Sequence, residues 1–428
     1  MRIIYSILFV LLIALTGCAG LQRTDTPGVI PTAQLATTSL PENSPDGSET
    51  GTPAASNQPV TLTLWIPDNF AINSSEQVQK LLDDRLATFV KANPDIKVDL
   101  RFKNIGSKDN MMELLNTTSR VAPSILPDIV LLDRKDMEIA ALKGLLVPMD
   151  AYLMDGIENE SLPGFISLGR LQGSLFGLPA AGDVLLLVGN QDNKLPISSW
   201  QDISNLGMNV GTNFSDPDSI TSISLYLSAG GRLIDASGKP HIDPEALIQL
   251  INMIRITRVY SVFPEWSVLS TDRNEVTRHF MDGDTDLEIN WYSSIPDSNI
   301  DQYSYRPVPG LTEKSASTLT GWYWSVANPA PERQAASKQL LTFLYQPIFA
   351  STWSDTAGYL PVTSQHWPQT DVRFQSLQSI LNSAEPLPDQ SIMITLGPVI
   401  RDAVIRAYST NDAVEEITAS AIARINQE

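Results

Sequence analysis

The sequence predicts an α/β protein, because strand-like and helix-like segments alternate from residue 60 onward. Val60 to Ile66 alternates β-branched and apolar residues, which is typical of a strand. Val78 to Val90 repeats apolar residues at helical spacing until Asn93-Pro94 ends the pattern. Ile96 to Phe102 alternates again, and Pro127 to Asp133 is a continuous apolar run typical of a buried parallel strand. This order predicts a sheet that is covered by helices and connected by right-handed crossovers.

Helix-start signals support this order of elements. Asn73 with Glu76 forms a capping pattern before the first helix, and a second helix is predicted near residues 108–119. Ser199 with Asp202 opens a later helix, and Asp243-Pro244-Glu245 opens another with a cap and a proline at its first position. The remaining predicted elements are strands at 183–188, 286–291 and 322–327, a helix that ends at Gly230-Gly231, and helices at 335–345 and 412–425.

Composition narrows the classes of function. The chain has 428 residues and a net charge of −19, so phosphates would be repelled and a nucleic-acid partner is not expected. Its length predicts two large lobes, and a hydrophobic content of 43% permits a large core. The single cysteine cannot form a disulfide within the chain, so the folded body must be stabilised by that core.

The first 58 residues predict an exported, lipid-anchored protein. A basic start precedes the apolar run Ile3 to Leu15, which is shorter than the about 20 residues of a membrane-spanning helix. Leu15-Thr16-Gly17-Cys18 resembles the bacterial lipoprotein signal, in which the cysteine becomes the acylated first residue; an ordinary signal peptide with a chance cysteine is the alternative. We therefore expect a signal peptide at 1–17, lipidation (palmitate) at Cys18 and attachment to a membrane of the bacterial cell envelope.

Residues 18–58 are predicted to form a disordered tether. Their Ser, Thr and Pro-rich composition cannot bury enough apolar area to offset the entropy of ordering. The folded body is then expected outside the cytoplasm, held near the membrane by this segment.

The sequence carries no recognisable catalytic or cofactor motif. A phosphate-binding loop, a dinucleotide fingerprint and a zinc-protease motif are all missing. Asp282 to Asp286 resembles a calcium loop but has Leu287 where glycine is needed and Ser293 where glutamate is needed. The histidines lie far apart, without metal-ligand spacing, at His241, His279 and His366. We therefore expect no enzyme activity, metal or cofactor, although a glycosidase-type carboxylate pair stays open among 48 acidic residues.

Aromatic residues near strand ends predict a carbohydrate site. Indole faces stack on the apolar faces of pyranose rings, while Asp, Asn and Gln bind the ring hydroxyls. For each aromatic residue the alternative is a place in the core, and Trp200 beside Pro196 is interpreted as structural. The aromatic candidates are Trp65, Trp266, Trp291, Tyr292, Trp322, Tyr323, Trp324, Trp353 and Tyr359.

Ten short landmarks follow one another along the chain from residue 60 onward. They are Val60–Trp65, Pro127–Val130, Gly144–Asp150, Leu175–Pro179, Pro196–Asp202, Gly230–Leu233, Phe280–Gly283, Pro307–Gly310, Gly321–Trp322 and Gly358–Val362. Their order resembles that of the extracellular solute-binding proteins of the maltose-binding type. The pattern departs from the family at Leu187 to Asn190, where the family often has an aromatic–Asn pair.

The resemblance implies a two-lobed periplasmic-binding-protein-like fold of type II, with a sugar bound between the lobes. Closure would be a hinge motion near 179–183 and 296–300, driven by ligand contacts that both lobes make. The closed monomer would dock on the permease subunits of an ABC transporter. The implied boundaries are 59–183 and 297–345 for lobe 1, and 184–296 and 346–428 for lobe 2.

The resemblance also implies which residues bind the solute. Two of them come directly after the first strand and one ends the third strand. Two follow the strand that comes after Gly283, one follows Gly321, and the last two lie in the helix and turn near residues 353–359. Carried over by position, they are Trp65, Asp68, Asp133, Trp291, Tyr292, Trp322, Trp353 and Tyr359.

The leading hypothesis is a lipid-anchored substrate-binding component of a carbohydrate ABC importer. A surface-anchored glycan hydrolase is the first alternative, because it would use the same aromatic cleft and abundant carboxylates. A module that presents bound solute to a signalling receptor is the second.

Overall fold

The structure is a computed structural model of the chain. It describes residues 59–70, 76–105, 110–150, 157–190, 196–296, 302–327, 330–363 and 372–426. The predicted signal peptide (1–17), tether (18–58) and helix cap Asn73 lie outside the described residues, as does most of the predicted hinge segment 296–300.

Strands and helices alternate along the described residues, which confirms the predicted α/β class. The strands are β1 (Val60–Pro67), β2 (Ile96–Lys103), β3 (Ile129–Asp133), β4 (Arg170–Leu171), β5 (Ser174–Leu175), β6 (Leu178–Asn190), β7 (Val210–Gly211), β8 (Leu287–Trp291), β9 (Tyr303–Arg306), β10 (Thr318–Val326) and β11 (Glu385–Pro386).

The helices begin and end close to the predicted positions where both can be compared. They are α1 (Glu76–Ala92), α2 (Met111–Val121), α3 (Arg134–Leu142), α4 (Pro163–Leu168), α5 (Trp200–Asn205), α6 (Ile220–Ser228), α7 (Pro244–Val259), α8 (Glu265–Leu269), α9 (Arg273–Met281), α10 (Pro331–Leu344), α11 (Pro347–Thr356), α12 (Val372–Ser383), α13 (Gln390–Ser409) and α14 (Val414–Ile425). Single 3-10 turns lie at Asp68–Phe70, Pro123–Ile125, Ile157–Glu160 and Tyr292–Ser294.

One mixed nine-stranded sheet runs through the described residues in the order β2-β1-β3-β10-β6-β8-β7, with β11 beside β10 and β9 beside β6. β1 is parallel to β2 and β3, as the apolar run of β3 predicts. β10 is antiparallel to β3 and β6, and β6 is antiparallel to β8. The sheet is therefore parallel only in part, because later strands return to it in the opposite direction.

The β1-to-β10 part of the sheet is buried on both faces. Ile129 and Leu131 of β3 pack in a first core cluster with α1, α10 and α11. Val130 and Leu132 pack on the other face in a second cluster with α2 and α3. Because successive side chains of a strand point to opposite faces, a strand covered on both sides needs the continuous apolar run that β3 has.

β6 is longer than the predicted strand 183–188 and passes all three core clusters. Its residues 178–184 pair with β10, and its residues 185–190 pair with β8 and β9. Leu178 lies in the first cluster and Val184 in the second. Leu185 and Leu187 lie in a third cluster, which α6, α7, α13 and α14 cover. One continuous strand thus connects the two parts of the body.

Two predicted helix starts can be compared with the observed caps. At α5, Ser199 accepts from the amide of Asp202 at 3.2 Å and Asp202 accepts from the amide of Ser199 at 2.9 Å, which is the predicted reciprocal cap. α7 begins at Pro244 as predicted, but the Asp243 side chain makes no capping bond. Its carboxylate lies 3.6 Å from the guanidinium of Arg232 instead.

α13 has no counterpart among the predicted elements. Pro398 stands inside this helix, and a proline in a helical pattern normally marks an end or a kink. The helix continues because its inner face is buried in the third cluster, with Met393, Leu396, Val399 and Ile400 among the residues that contact it.

The described residues contain neither a helix suited to span a membrane nor a cluster suited to hold a metal ion. No described helix has the length and apolar character needed to cross a membrane. Within the same residues, no three His, Cys, Asp or Glu side chains are grouped closely enough to hold a metal ion.

Candidate functional site

A cavity of about 240 Å³ lies at the ends of β3 and β8 and along the middle of β6 and β10. The starts of α3, α9 and α13 and the turn before α6 complete its wall. Two larger cavities exist in the described part of the chain, but their linings contain no carboxylate beside an aromatic ring. The smaller cavity is the candidate site because charged and aromatic side chains meet there.

Trp291, Trp322 and Tyr359 form the aromatic part of the wall. The ring of Phe70 lies behind them, edge-on to Trp322 with centroids 5.1 Å apart and stacked on Tyr359 at 5.2 Å. The Asn69 amide also donates to the Tyr359 hydroxyl at 3.2 Å. These contacts fix the orientation of the exposed parts of the rings before any solute arrives.

Asp133 and Asp183 supply carboxylates to the cavity. Asp133 ends β3 and caps α3, accepting from the Asp136 amide at 2.7 Å. Asp183 is buried in the middle of β6 and accepts from the Ser293 hydroxyl at 2.5 Å and from the Ser293 amide at 3.1 Å. Both positions are set by main-chain elements, so both carboxylates are held in place by the fold.

Burial shifts the protonation of these two carboxylates. It raises the pKa of Asp183 to about 6, against the opposing effects of the Ser293 hydroxyl and the positive charge of Arg273. It also raises the pKa of Asp133, and the Asp136 amide opposes that shift. Both groups therefore release their protons closer to neutral pH than an exposed aspartate does.

Three cations also line the cavity: Arg134, Lys135 and Arg273. Lys135 binds Asp218 of the turn before α6 at 2.6 Å. Arg134 is buried and binds Glu138 at 2.6 Å and Asp389 at 3.1 Å. Arg273 is the first residue of α9. No pattern in the sequence singles out these residues, because Arg134 with Lys135 and, separately, Arg273 stand at ordinary helix starts.

The structure brings four of the eight predicted site residues together at the cavity: Asp133, Trp291, Trp322 and Tyr359. The other four, Trp65, Asp68, Tyr292 and Trp353, are not part of its lining. Asp68 lies just outside it, since its neighbours Asn69 and Phe70 contact the aromatic wall. Tyr292 is 1% exposed and packs in the second cluster.

Trp65 and Trp353 lie in the core for different reasons. Trp65 is on the face of β1 that meets the second cluster, 3% exposed, with the Lys103 ammonium 4.4 Å from its ring centre. Trp353 is on α11, which packs against α1 and β6, and its ring stacks on Phe70 at 4.8 Å. Both rings are therefore separated from the cavity by other side chains.

Residues 84–369 match a protein family described as bacterial extracellular solute-binding protein. Solved structures of similar fold include maltose-bound T. maritima MalE3, which is 22% identical with a TM-score of 0.66 over 86% of this chain and 99% of that one. The cyclic alpha-maltosyl-1,6-maltose binding protein from Arthrobacter globiformis is 16% identical, with a TM-score of 0.71 over 86% and 98% of the two chains. This similarity confirms the predicted two-lobed fold.

A curated relative is the probable amino-acid ABC transporter periplasmic-binding protein y4oP of Sinorhizobium fredii. It is 26% identical over 204 residues, which are 42% of this chain and 46% of the relative. The matched part is thus less than half of the relative's length.

Proposed function

Because the chain belongs to the family of bacterial extracellular solute-binding proteins, we propose that it binds a carbohydrate in the cavity as the substrate-binding component of an ABC importer. The observation that carries this proposal is that Trp291 and Trp322 line one cavity with Asp133 and Asp183. Aromatic faces stack on sugar rings and carboxylates accept from sugar hydroxyls. Two structural neighbours are a maltose-bound protein and a cyclic maltosyl-maltose binding protein, which agrees with a sugar as the solute.

The proposed binding step is closure of two lobes around the solute. The proposed lobes are 59–183 with 297–345 and 184–296 with 346–428. One refinement is favoured: α11 packs against α1, so residues 347–363 are better grouped with lobe 1. β6 would carry the hinge near 179–183, just before the point after Val184 at which its pairing changes from β10 to β8. A decrease in the radius of gyration on solute binding, measured by small-angle X-ray scattering, would test this motion.

The closed monomer would deliver its solute to the permease subunits and would not transform it. This part of the proposal rests on family membership, and incubation with the bound sugar tests it: recovery of the sugar unchanged is expected. Appearance of hydrolysis products would favour the glycan hydrolase instead.

Replacing Trp322 by alanine should weaken sugar binding by roughly tenfold or more, because a stacking face worth about 1 kcal/mol and its buried area are lost. Isothermal titration calorimetry with a panel of mono- and oligosaccharides would measure the change. Trp266→Ala is the matched control, because Trp266 is also half-buried but stacks on His279 outside the cavity. If no sugar of the panel binds the unaltered protein, the carbohydrate proposal fails.

Replacing Cys18 by serine should release the protein from the membrane and leave solute binding unchanged. The proposed tether would otherwise hold the folded body near its permease and raise its effective concentration there. Fractionation of cells into membrane and soluble parts, followed by calorimetry on the soluble protein, would check both expectations. Retention of the serine variant in the membrane fraction would contradict lipid anchoring at Cys18.

A further inference from the structure

Arg273 differs from the other two cations of the cavity in having no ion pair within the described residues. Arg134 is held by Glu138 and Asp389, and Lys135 is held by Asp218. No carboxylate of the described chain lies within ion-pair distance of the Arg273 guanidinium. The cavity therefore contains one cation that is available to a solute.

The nearby carboxylate that would be expected to pair with Arg273 is already engaged. Asp183 accepts hydrogen bonds from the Val184 amide, the Ser293 amide and the Ser293 hydroxyl, at 2.9, 3.1 and 2.5 Å. One oxygen of Asp133 is likewise bonded, as the cap of α3. Both oxygens of Asp183 thus have partners in the protein, whereas Arg273 lines the cavity without an ion pair in the described residues.

The main chain of Arg273 is fixed beside the aromatic wall. Its carbonyl oxygen accepts from the side-chain amide of Asn290 at 2.9 Å, and Asn290 directly precedes Trp291 on β8. Arg273 and Trp291 both line the cavity. A ring that stacks on Trp291 would therefore present its substituents to the guanidinium.

We propose that Arg273 binds a carboxylate of the solute, so that the preferred ligand is an acidic sugar such as a uronic or aldonic acid. This inference rests on the proposed function, because it assigns the substrate class of the same cavity. A guanidinium offers two parallel N–H donors that match the two oxygens of a carboxylate, and this pair is charge-assisted, whereas the hydroxyls of a neutral sugar carry no charge. The hydroxyls of the acidic sugar would donate hydrogen bonds to Asp133 and Asp183.

The size of the cavity limits the length of this acid. Its volume of about 240 Å³ lies below the roughly 300–1,000 Å³ typical of pockets for drug-sized ligands. A monosaccharide or disaccharide acid suits this volume, and a longer chain would need the cavity to open.

Calorimetric titration with matched pairs of acid and neutral sugar tests the inference on the purified protein. Suitable pairs are glucuronate with glucose, galacturonate with galactose and maltobionate with maltose. We expect at least one acid to bind at least tenfold more tightly than its neutral partner. Arg273→Gln should lower the affinity for the acid much more than the affinity for its neutral partner and so remove this preference, and Arg273→Lys should restore part of the preference.

Arg278→Gln is the matched control, because Arg278 lies on the same helix but not in the cavity lining. It should leave the acid preference intact. Equal affinity for the members of every pair, or an acid preference that survives in Arg273→Gln, would overturn the inference while leaving the proposed function standing. Binding of alanine or glutamate without binding of any sugar would overturn both.

Discussion

Replacing Glu138 by glutamine should lower the free energy of unfolding by about 3 kcal/mol, because the buried Arg134 loses its buried charged partner and keeps only the exposed Asp389. Arg134 and Glu138 are 2.6 Å apart, and their side chains are 4% and 2% exposed. The glutamine amide would place a second donor against the guanidinium. Chemical denaturation of the variant and the unaltered protein, followed by circular dichroism, would measure the difference.

The same substitution should weaken solute binding, because Glu138 also connects two elements of the cavity wall. Both of its carboxylate oxygens accept from the amide of Gln390, at 2.9 and 2.8 Å, at the first turn of α13. Arg134 and Gln390 themselves line the cavity. Loss of this connection should loosen α3 relative to α13 and raise the dissociation constant measured by calorimetry.

Asp84→Asn is the matched control for the buried pair. Lys80 and Asp84 have the same spacing along their helix and the same 2.6 Å separation, but their side chains are 71% and 67% exposed. Water screens this pair, so its removal should change the stability little. If the two substitutions had equal effects, burial would not be the source of the stability of the Arg134–Glu138 pair.

Replacing Glu288 by glutamine should stabilise the protein above pH 7 and have little effect near pH 4. Glu288 lies fully buried on β8, where only Thr277 and Asn290 donate to its carboxylate and its other oxygen has no hydrogen-bond partner in the described structure. Burial raises its pKa from 4.5 to about 7. The folded protein therefore holds a proton on this carboxyl at pH values where the unfolded chain has released it.

The sign of the pH dependence follows from that difference. Stability is lost as the pH rises from about 4.5 through about 7, and the loss is complete above pH 7. A shift of this size corresponds to about 3 kcal/mol, which is the upper limit of the gain expected for Glu288→Gln at pH 8. Denaturation curves at pH 4, 6 and 8 would measure how the gain develops.

Glu385→Gln serves as the control for Glu288. Glu385 is exposed on β11 and lies 3.6 Å from Lys314. Removing its charge should give no gain at pH 8, because a charged surface partner is lost and no buried charge is relieved. If Glu288→Gln changed the free energy of unfolding by the same amount at every pH, burial would not raise the pKa of the Glu288 carboxyl.

The elements that local patterns specify could be predicted from the sequence. The alternation in β1, the periodicity of α1 and the reciprocal cap of α5 each depend on residues close in sequence. The full length of β6 and the whole of α13 could not be predicted in this way. Their extent depends on partners far along the chain, which pair with β6 and cover a proline-containing helix.

Site residues could be predicted from the sequence where they stand at the end of a strand that reaches the cavity. Asp133 and Trp291 end β3 and β8, and both line the cavity. Trp65 shows the limit of this reasoning, because its place within β1 points it to the opposite face. The sequence alone does not show on which face of the sheet Trp65 lies, because this depends on the strands and helices that pack against β1.

By itself, the sequence determined the α/β class, the resemblance to solute-binding proteins and the positions of elements such as β1, α1 and α5, because these follow from patterns within short segments. Only the tertiary structure decided which side chains share the cavity and which cation there lacks a partner. Arg273, Asp183 and Trp322 are far apart along the chain. They meet because β6, β8 and β10 belong to one sheet and because α9, which begins at Arg273, packs against β8.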